Sequence, residues 1–122
     1  MKYILLCGTL LFLLGRTTAQ DKDEVSFSKN LYPILKSKCL KCHEKDDENP
    51  NNYAMDNVSL MRTSGKTKNI VIPGDGAKSY LILKLLPNPP KGAQMPIFSK
   101  KKLSEEDVDL FKRWIDQGAK DN

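Results

Sequence analysis

Histidine is almost missing from this chain of 122 residues, which has a single one at position 43. Because general acid and base catalysis most often uses histidine, one imidazole leaves little room for an enzyme of that kind. Cysteine is also scarce, with Cys7, Cys39 and Cys42 as the only three. After the N-terminal segment, Cys39, Cys42 and His43 are the only cysteine and histidine residues. A closed zinc site needs four ligands, so it would here require a carboxylate or a ligand from another chain.

Other features are absent as well. There is no internal repeat, and the lysines are scattered rather than interleaved with aromatic residues, so the formal net charge of +5 does not indicate nucleic-acid binding. The apolar run at residues 3–14 is shorter than the ~20 residues that a helix needs to cross a bilayer. We therefore expect no transmembrane span in the mature chain.

The N-terminal segment has the organisation of a secretory signal peptide. Lys2 precedes the apolar run, Arg16 ends it, and Ala19 fits the last residue removed by cleavage. The pattern predicts a signal peptide at residues 1–19 and one mature domain at residues 20–122. We expect export to the periplasm of a Gram-negative bacterium.

Cleavage after position 19 would remove Lys2, Arg16 and one of the three cysteines. The mature chain would then have 18 basic and 15 acidic residues, a formal net charge of +3. This mild excess is compatible with a basic face that docks on an acidic redox partner, since complementary charge speeds encounter. A solvated surface explains most of the lysines equally well.

The two remaining cysteines belong to the stretch Cys39-Leu40-Lys41-Cys42-His43. The spacing C-x-x-C-H is typical of covalent attachment of a c-type haem. One helical turn brings the two thiols to the separation of two vinyl groups, and the next residue brings its imidazole under the iron. An oxidising exported compartment agrees with this chemistry.

Three alternatives to haem attachment fit the sequence less well. A thioredoxin-like redox pair expects a βαβ context, and nothing before Cys39 resembles a buried strand. Zinc would need further ligands, and a plain disulfide between Cys39 and Cys42 would leave His43 as a coincidence. The motif therefore predicts one haem c, with thioether bonds to Cys39 and Cys42 and His43 as an iron ligand.

The second axial ligand decides the chemistry, because methionine there raises the potential and suits electron transfer. Met55 and Met61 lie in or near a periodic apolar segment, where core filling is the default. Met95 lies in a loop rich in glycine and proline, followed by the stiff Pro96. We predict Met95 as the distal ligand, with the other methionines or an open sixth position as alternatives.

Periodicity predicts helices and little else. We expect an amphipathic helix that begins near Asn30 and runs towards Cys39, and a helical turn within residues 55–61 opened by Asp56 or Asn57. Further helices are expected over residues 77–86 and from about Ser104 to Gln117, the latter with a capping-box-like start and Gly118 as its C-terminal cap. The β-branched run at residues 70–72 predicts a brief extended segment.

Four stretches together resemble the planctomycete-type cytochrome c domain, a branch of the monohaem class I c-type cytochromes. The haem motif is followed by Ile70-Val71-Ile72-Pro73-Gly74-Asp75, then Met95-Pro96, then Trp114-Ile115-Asp116-Gln117-Gly118-Ala119. The resemblance extends over about residues 26–119. One departure is Ile97, since this branch usually has a second proline after Met95-Pro96.

The resemblance implies an all-α cytochrome c fold, with three to five short helices packed around one covalently bound haem. It implies Cys39 and Cys42 as thioether attachment points, His43 as the proximal ligand and Met95 as the distal ligand. In such proteins a proline carbonyl typically accepts a hydrogen bond from the proximal histidine, and Pro73 and Pro50 are both candidates.

The function expected from these residues is an exported carrier of single electrons, with redox proteins as its partners and no enzymatic activity. The alternative is a haem enzyme, or a gas or redox sensor, with a displaceable sixth ligand.

Overall fold

The computed structural model describes residues 23–122, and the predicted signal peptide at residues 1–19 lies outside them. This part of the chain is helical and has no strand, which confirms the expected small all-α fold. Its five α-helices are α1 (Tyr32–Lys38), α2 (Leu40–His43), α3 (Val58–Thr63), α4 (Tyr80–Leu85) and α5 (Glu105–Asp116). None of these helices is long and apolar enough to cross a bilayer.

The first helical segment begins earlier than the predicted start near Asn30. A π-helical turn at Phe27–Leu31 leads directly into α1, and Tyr32 donates its N–H to the carbonyl of Phe27. Pro33 lies in the first turn of α1, where its missing N–H is tolerated. A helix that starts before Pro33 needs an irregularity near the proline, and the wider π-helical turn provides it.

The central helix α3 confirms the predicted helical turn and its cap. The side chain of Asn57 accepts a hydrogen bond from the N–H of Leu60 at 2.9 Å. A short 3₁₀ turn at Pro50–Asn52 precedes it in the long connection from α2.

The run at residues 70–72 is not a strand, and α4 is shorter than the predicted 77–86. The carbonyls of Asn69 and Ile70 accept hydrogen bonds from the N–H groups of Tyr80 and Leu81, both at 2.9 Å. Those are the first amides of α4, which need partners outside the helix. The preceding segment is therefore bent over the start of α4, and its carbonyls are used there.

Helix α5 has both predicted caps. The Ser104 hydroxyl accepts from the N–H of Asp107 at 3.1 Å. At the other end Gly118 has φ +104°, and the N–H of Ala119 reaches the carbonyl of Trp114 at 2.9 Å. This is the Schellman arrangement, in which a left-handed residue closes the last turn.

The two ends of the described chain pack together around Trp114. Its side chain is fully buried and lies 5.6 Å, ring centre to ring centre, from Phe27. The Asn122 side chain accepts from the N–H of Phe27 at 2.7 Å, and Gln117 accepts from Val25 at 2.8 Å. Helix α5 is thereby fixed against the segment that leads into the haem motif.

The turn after Pro73 is also attached to α5. Gly76 donates its N–H to the Asp116 carboxylate at 2.6 Å, and a Cβ atom at position 76 would meet the carbonyl oxygen of Lys112 at 2.8 Å. The Lys112 ammonium, and then the Gly76 N–H, hold the pKa of Asp116 below its usual value. Glycine is needed here because backbone and helix approach too closely for a side chain.

Candidate functional site

The motif residues lie on a single helical turn. Helix α1 ends at Lys38, and Cys39 departs from helical geometry with φ −123° and ψ −46°. The Cys39 carbonyl then accepts from the N–H groups of Cys42 at 3.1 Å and His43 at 3.0 Å. The kink separates α1 from α2 and winds the C-x-x-C-H stretch around one carbonyl oxygen.

Both thiols of the motif are free rather than joined in a disulfide. Cys42 is exposed, whereas Cys39 is half-buried against the core. Burial, and to a smaller extent the neighbouring Cys42, raise the pKa of the Cys39 thiol to about 11. The two sulfur atoms therefore differ in accessibility to solvent.

The imidazole of His43 is oriented by a backbone carbonyl. Its Nδ1 lies 2.9 Å from the carbonyl oxygen of Tyr53. Because a carbonyl oxygen can only accept, Nδ1 carries the proton and donates it. In neutral imidazole this leaves the lone pair on Nε2, the form in which histidine binds a metal ion.

Neither proline proposed as the acceptor has this role. Pro50 is the first residue of the 3₁₀ turn, and its carbonyl accepts from the N–H of Tyr53 at 3.3 Å. Pro73 belongs to the turn beside α5. The acceptor is three residues after Pro50 because the 3₁₀ turn must first bring the chain back beside His43.

Residues 53–55, which we call the histidine clamp, hold His43 at two points. Beyond the Tyr53 contact, the N–H of Met55 donates to the His43 carbonyl at 2.8 Å. The clamp is itself fixed, since the Tyr53 hydroxyl donates to the Met61 carbonyl at 3.1 Å and Ala54 donates to the Ser64 hydroxyl at 2.9 Å. All three clamp residues are buried.

Met95 lies in the loop between α4 and α5, half-buried against the same core that receives Cys39. Its N–H donates to the Lys84 carbonyl at 2.8 Å. Met55 and Met61 are buried in the core, as their periodic pattern indicated. Among the three methionines of residues 23–122, Met95 is the one whose side chain keeps partial access to solvent.

The donor set of the motif turn fits a haem c. It combines two free thiols within one turn and an imidazole whose Nδ1 is already occupied. The partly buried side chains of Ile34, Leu40 and Met95 pack against the same core. Within residues 23–122 no three cysteine, histidine or carboxylate side chains are arranged to hold a metal ion, so a closed zinc site finds no ligand set there.

A C-x-x-C-H turn is typical of the cytochrome c domains. Residues 39–96 match the family model described as planctomycete cytochrome C. The match runs from Cys39 to Pro96, so it includes Met95, and it confirms the resemblance that the sequence motifs carry. No curated protein and no solved structure matched the chain significantly.

Two parts of the site were not predicted from sequence. The Tyr53 acceptor is a backbone atom, and every residue has one, so no residue type marks it. The ammonium groups of Lys84 and Lys102 donate to carbonyls of the Met95 loop, residues 91–97. These two lysines are among 20 basic residues in the sequence. Only the three-dimensional path of the loop distinguishes them from the other lysines.

Replacement Tyr53→Phe should lower the free energy of unfolding of the haem-loaded protein by about 1–2 kcal/mol, because the buried Met61 carbonyl loses its donor. Urea unfolding measures this. The matched control is Tyr32→Phe, since the Tyr32 side chain is 37% exposed and its hydroxyl has no hydrogen-bond partner within residues 23–122. Equal stability of the two variants would show that the hydroxyl does not anchor the clamp.

Proposed function

We propose that this chain is an exported c-type cytochrome that carries single electrons through one covalently attached haem. The observation that carries the proposal is the hydrogen bond from His43 Nδ1 to the Tyr53 carbonyl, on the same helical turn as two free thiols. The family match over residues 39–96 supports the cytochrome class. The signal-peptide pattern at residues 1–19 supports export to the periplasm.

In this proposal each site residue has a separate task. Cys39 and Cys42 form the thioether bonds, and His43 and Met95 are the proximal and distal iron ligands. The bound haem supplies a one-electron iron couple, with methionine ligation favouring a higher potential. The Tyr53 carbonyl orients the imidazole and increases its basicity by accepting a hydrogen bond from its Nδ1–H.

The covalent attachment has a direct test in the exported protein. The pigment of the wild type should remain with the polypeptide after acid–acetone extraction, because thioether bonds survive that treatment. The double variant Cys39→Ser/Cys42→Ser should lose all of it. The variant Cys7→Ser is the matched control and should keep the pigment. Complete extraction of pigment from the wild type would refute a c-type cytochrome.

The variant Met95→Ala tests the distal ligand. The reduced wild type should not bind carbon monoxide at neutral pH, because the sixth position is filled, whereas Met95→Ala should bind one molecule per haem. Optical titration measures both. Conservative replacement of a buried methionine, Met61→Leu, is the control and should leave carbon monoxide binding absent.

Two other results of this titration would change the proposed function or the proposed distal ligand. Carbon monoxide binding by the wild type would favour the alternative function, a haem enzyme or a gas or redox sensor with a displaceable sixth ligand. Binding by Met61→Leu but not by Met95→Ala would assign the distal ligand to Met61.

The surface that follows Met95 is suited to a redox partner with an acidic docking face. Phe98 is 89% exposed and Ile97 is 45% exposed. Exposed lysines lie on both sides in the chain, at Lys91 and at Lys100 and Lys101. An apolar centre with surrounding cations attracts an acidic surface and then packs against it.

Anionic ferricyanide serves as a probe of this charge. Its rate of reduction by the ferrous protein should fall with ionic strength, and Lys101→Glu should lower the rate severalfold at low salt. Lys29→Glu makes the same charge change in the π-helical turn near the C-terminus, and is expected to have a smaller effect. Equal effects of the two variants would mean that only net charge matters, which would remove the support for a docking face at this loop.

A further inference from the structure

We propose that Lys84 and Lys102 are positioning residues that hold the Met95 loop (residues 91–97) by donating their ammonium N–H groups to its backbone carbonyls. The proposal rests on the proposed role of Met95 as distal ligand. According to this proposal, the two lysines determine where the Met95 sulfur lies relative to the iron.

Lys84 attaches the first half of the loop to helix α4. Its Nζ donates to the carbonyls of Lys91 at 2.8 Å and Ala93 at 2.6 Å. Its own backbone carbonyl accepts the N–H of Met95 at 2.8 Å. One residue of α4 therefore binds the loop through both its side chain and its main chain.

Lys102 attaches the second half. Its Nζ lies 2.5 Å from the Pro96 carbonyl and 3.3 Å from the Gln94 carbonyl, with Ile97 more distant at 3.5 Å. The carbonyls on either side of Met95 thus converge on a single ammonium group. This contact constrains the backbone immediately before and after the methionine.

The loop needs donors of this kind because its own backbone cannot supply them. It contains no helix or strand, and Pro96 within it, like the prolines at positions 87, 89 and 90 just before it, lacks an N–H. Hydrogen bonds from a charged donor are shorter and stronger than neutral ones. An ammonium group with three N–H donors can satisfy several carbonyls at once.

The contacts are specific to these two lysines. Within residues 23–122 neither of them takes part in a salt bridge, so carbonyl oxygens are their partners. Lys91 and Lys101 lie in or beside the same loop, and no hydrogen bond from their ammonium groups occurs in this part of the chain. A general effect of positive charge would be shared by all four residues, whereas loop positioning would not.

The test uses the haem-loaded protein and the variants Lys84→Leu and Lys102→Leu, with Lys91→Leu and Lys101→Leu as matched controls. Loss of either carbonyl-bound ammonium should increase the population in which Met95 is detached. Reduced Lys84→Leu and Lys102→Leu should therefore bind carbon monoxide at neutral pH, where the wild type does not. Lys91→Leu and Lys101→Leu should leave carbon monoxide binding absent, as in the wild type. Lys102→Arg, which keeps charged donors, should remove most of the binding seen in Lys102→Leu.

Amide hydrogen exchange of residues 91–97 is the second readout and does not depend on iron ligation. It should be faster in Lys84→Leu and Lys102→Leu than in the two controls. If all four variants match the wild type in exchange and in carbon monoxide binding while Met95→Ala still opens the site, the lysine proposal is wrong and the proposed function stands.

A different pattern identifies failure of the proposed function. If the wild type and Met95→Ala bind carbon monoxide equally, Met95 is not the ligand. Hydrogen exchange then decides the lysines separately: faster exchange in Lys84→Leu and Lys102→Leu keeps their role in holding the loop, and unchanged exchange ends it.

Discussion

The packing of Trp114 against Phe27 is the contact on which the remainder of this small domain depends. Trp114 is fully buried, and its indole N–H is satisfied by the Lys120 carbonyl at 2.8 Å. The contact joins α5 to the turn that begins the haem motif helix. Because both ends are fixed in this way, the chain between α2 and α5, which contains α3, α4 and the loops around them, starts and finishes at set positions. Both loops that carry the site, the histidine clamp and the Met95 loop, belong to this confined region.

Because the helices are short, many backbone groups need hydrogen-bond partners from outside the helices, and some of these partners hold the site. The helices of residues 23–122 range from four to twelve residues, so much of the backbone lies outside regular structure and needs other hydrogen-bond partners. Side chains provide them repeatedly. Ser79 binds the Ile72 amide and the Asp75 carbonyl, Ser64 binds Ala54, and Lys84 and Lys102 bind the Met95 loop. Polar residues that look like ordinary surface in the sequence therefore determine where the chain turns.

This explains which parts of the molecule could be predicted from the sequence. The haem motif, the α3 cap at Asn57 and both caps of α5 depend on residue types within a few positions of one another, so local rules suffice. The extended segment predicted at residues 70–72 was wrong because the chain bends there, and the carbonyls of Asn69 and Ile70 accept from the first amides of α4, a contact between separate segments. The hydrogen bond from His43 to the Tyr53 carbonyl depends on the path of a 3₁₀ turn. Every residue has a backbone carbonyl, so no residue type in the sequence identifies the acceptor. The π-helical turn reflects a compromise between Pro33 and an early helix start, which periodicity does not detect.

The two proposed iron ligands are held by different physical means. The His43 imidazole is oriented by the hydrogen bond that it donates to the carbonyl of Tyr53, a buried clamp residue, where water does not compete. The Met95 loop is held by ammonium groups at a half-exposed surface, where water competes for the same carbonyls. We therefore expect release of the distal side to cost less free energy than release of the proximal side, and the proposed thioether bonds would retain the haem in either case. If Met95 is the distal ligand as proposed, the strength with which Lys84 and Lys102 hold the Met95 loop would distinguish an electron carrier from a sensor with a displaceable ligand.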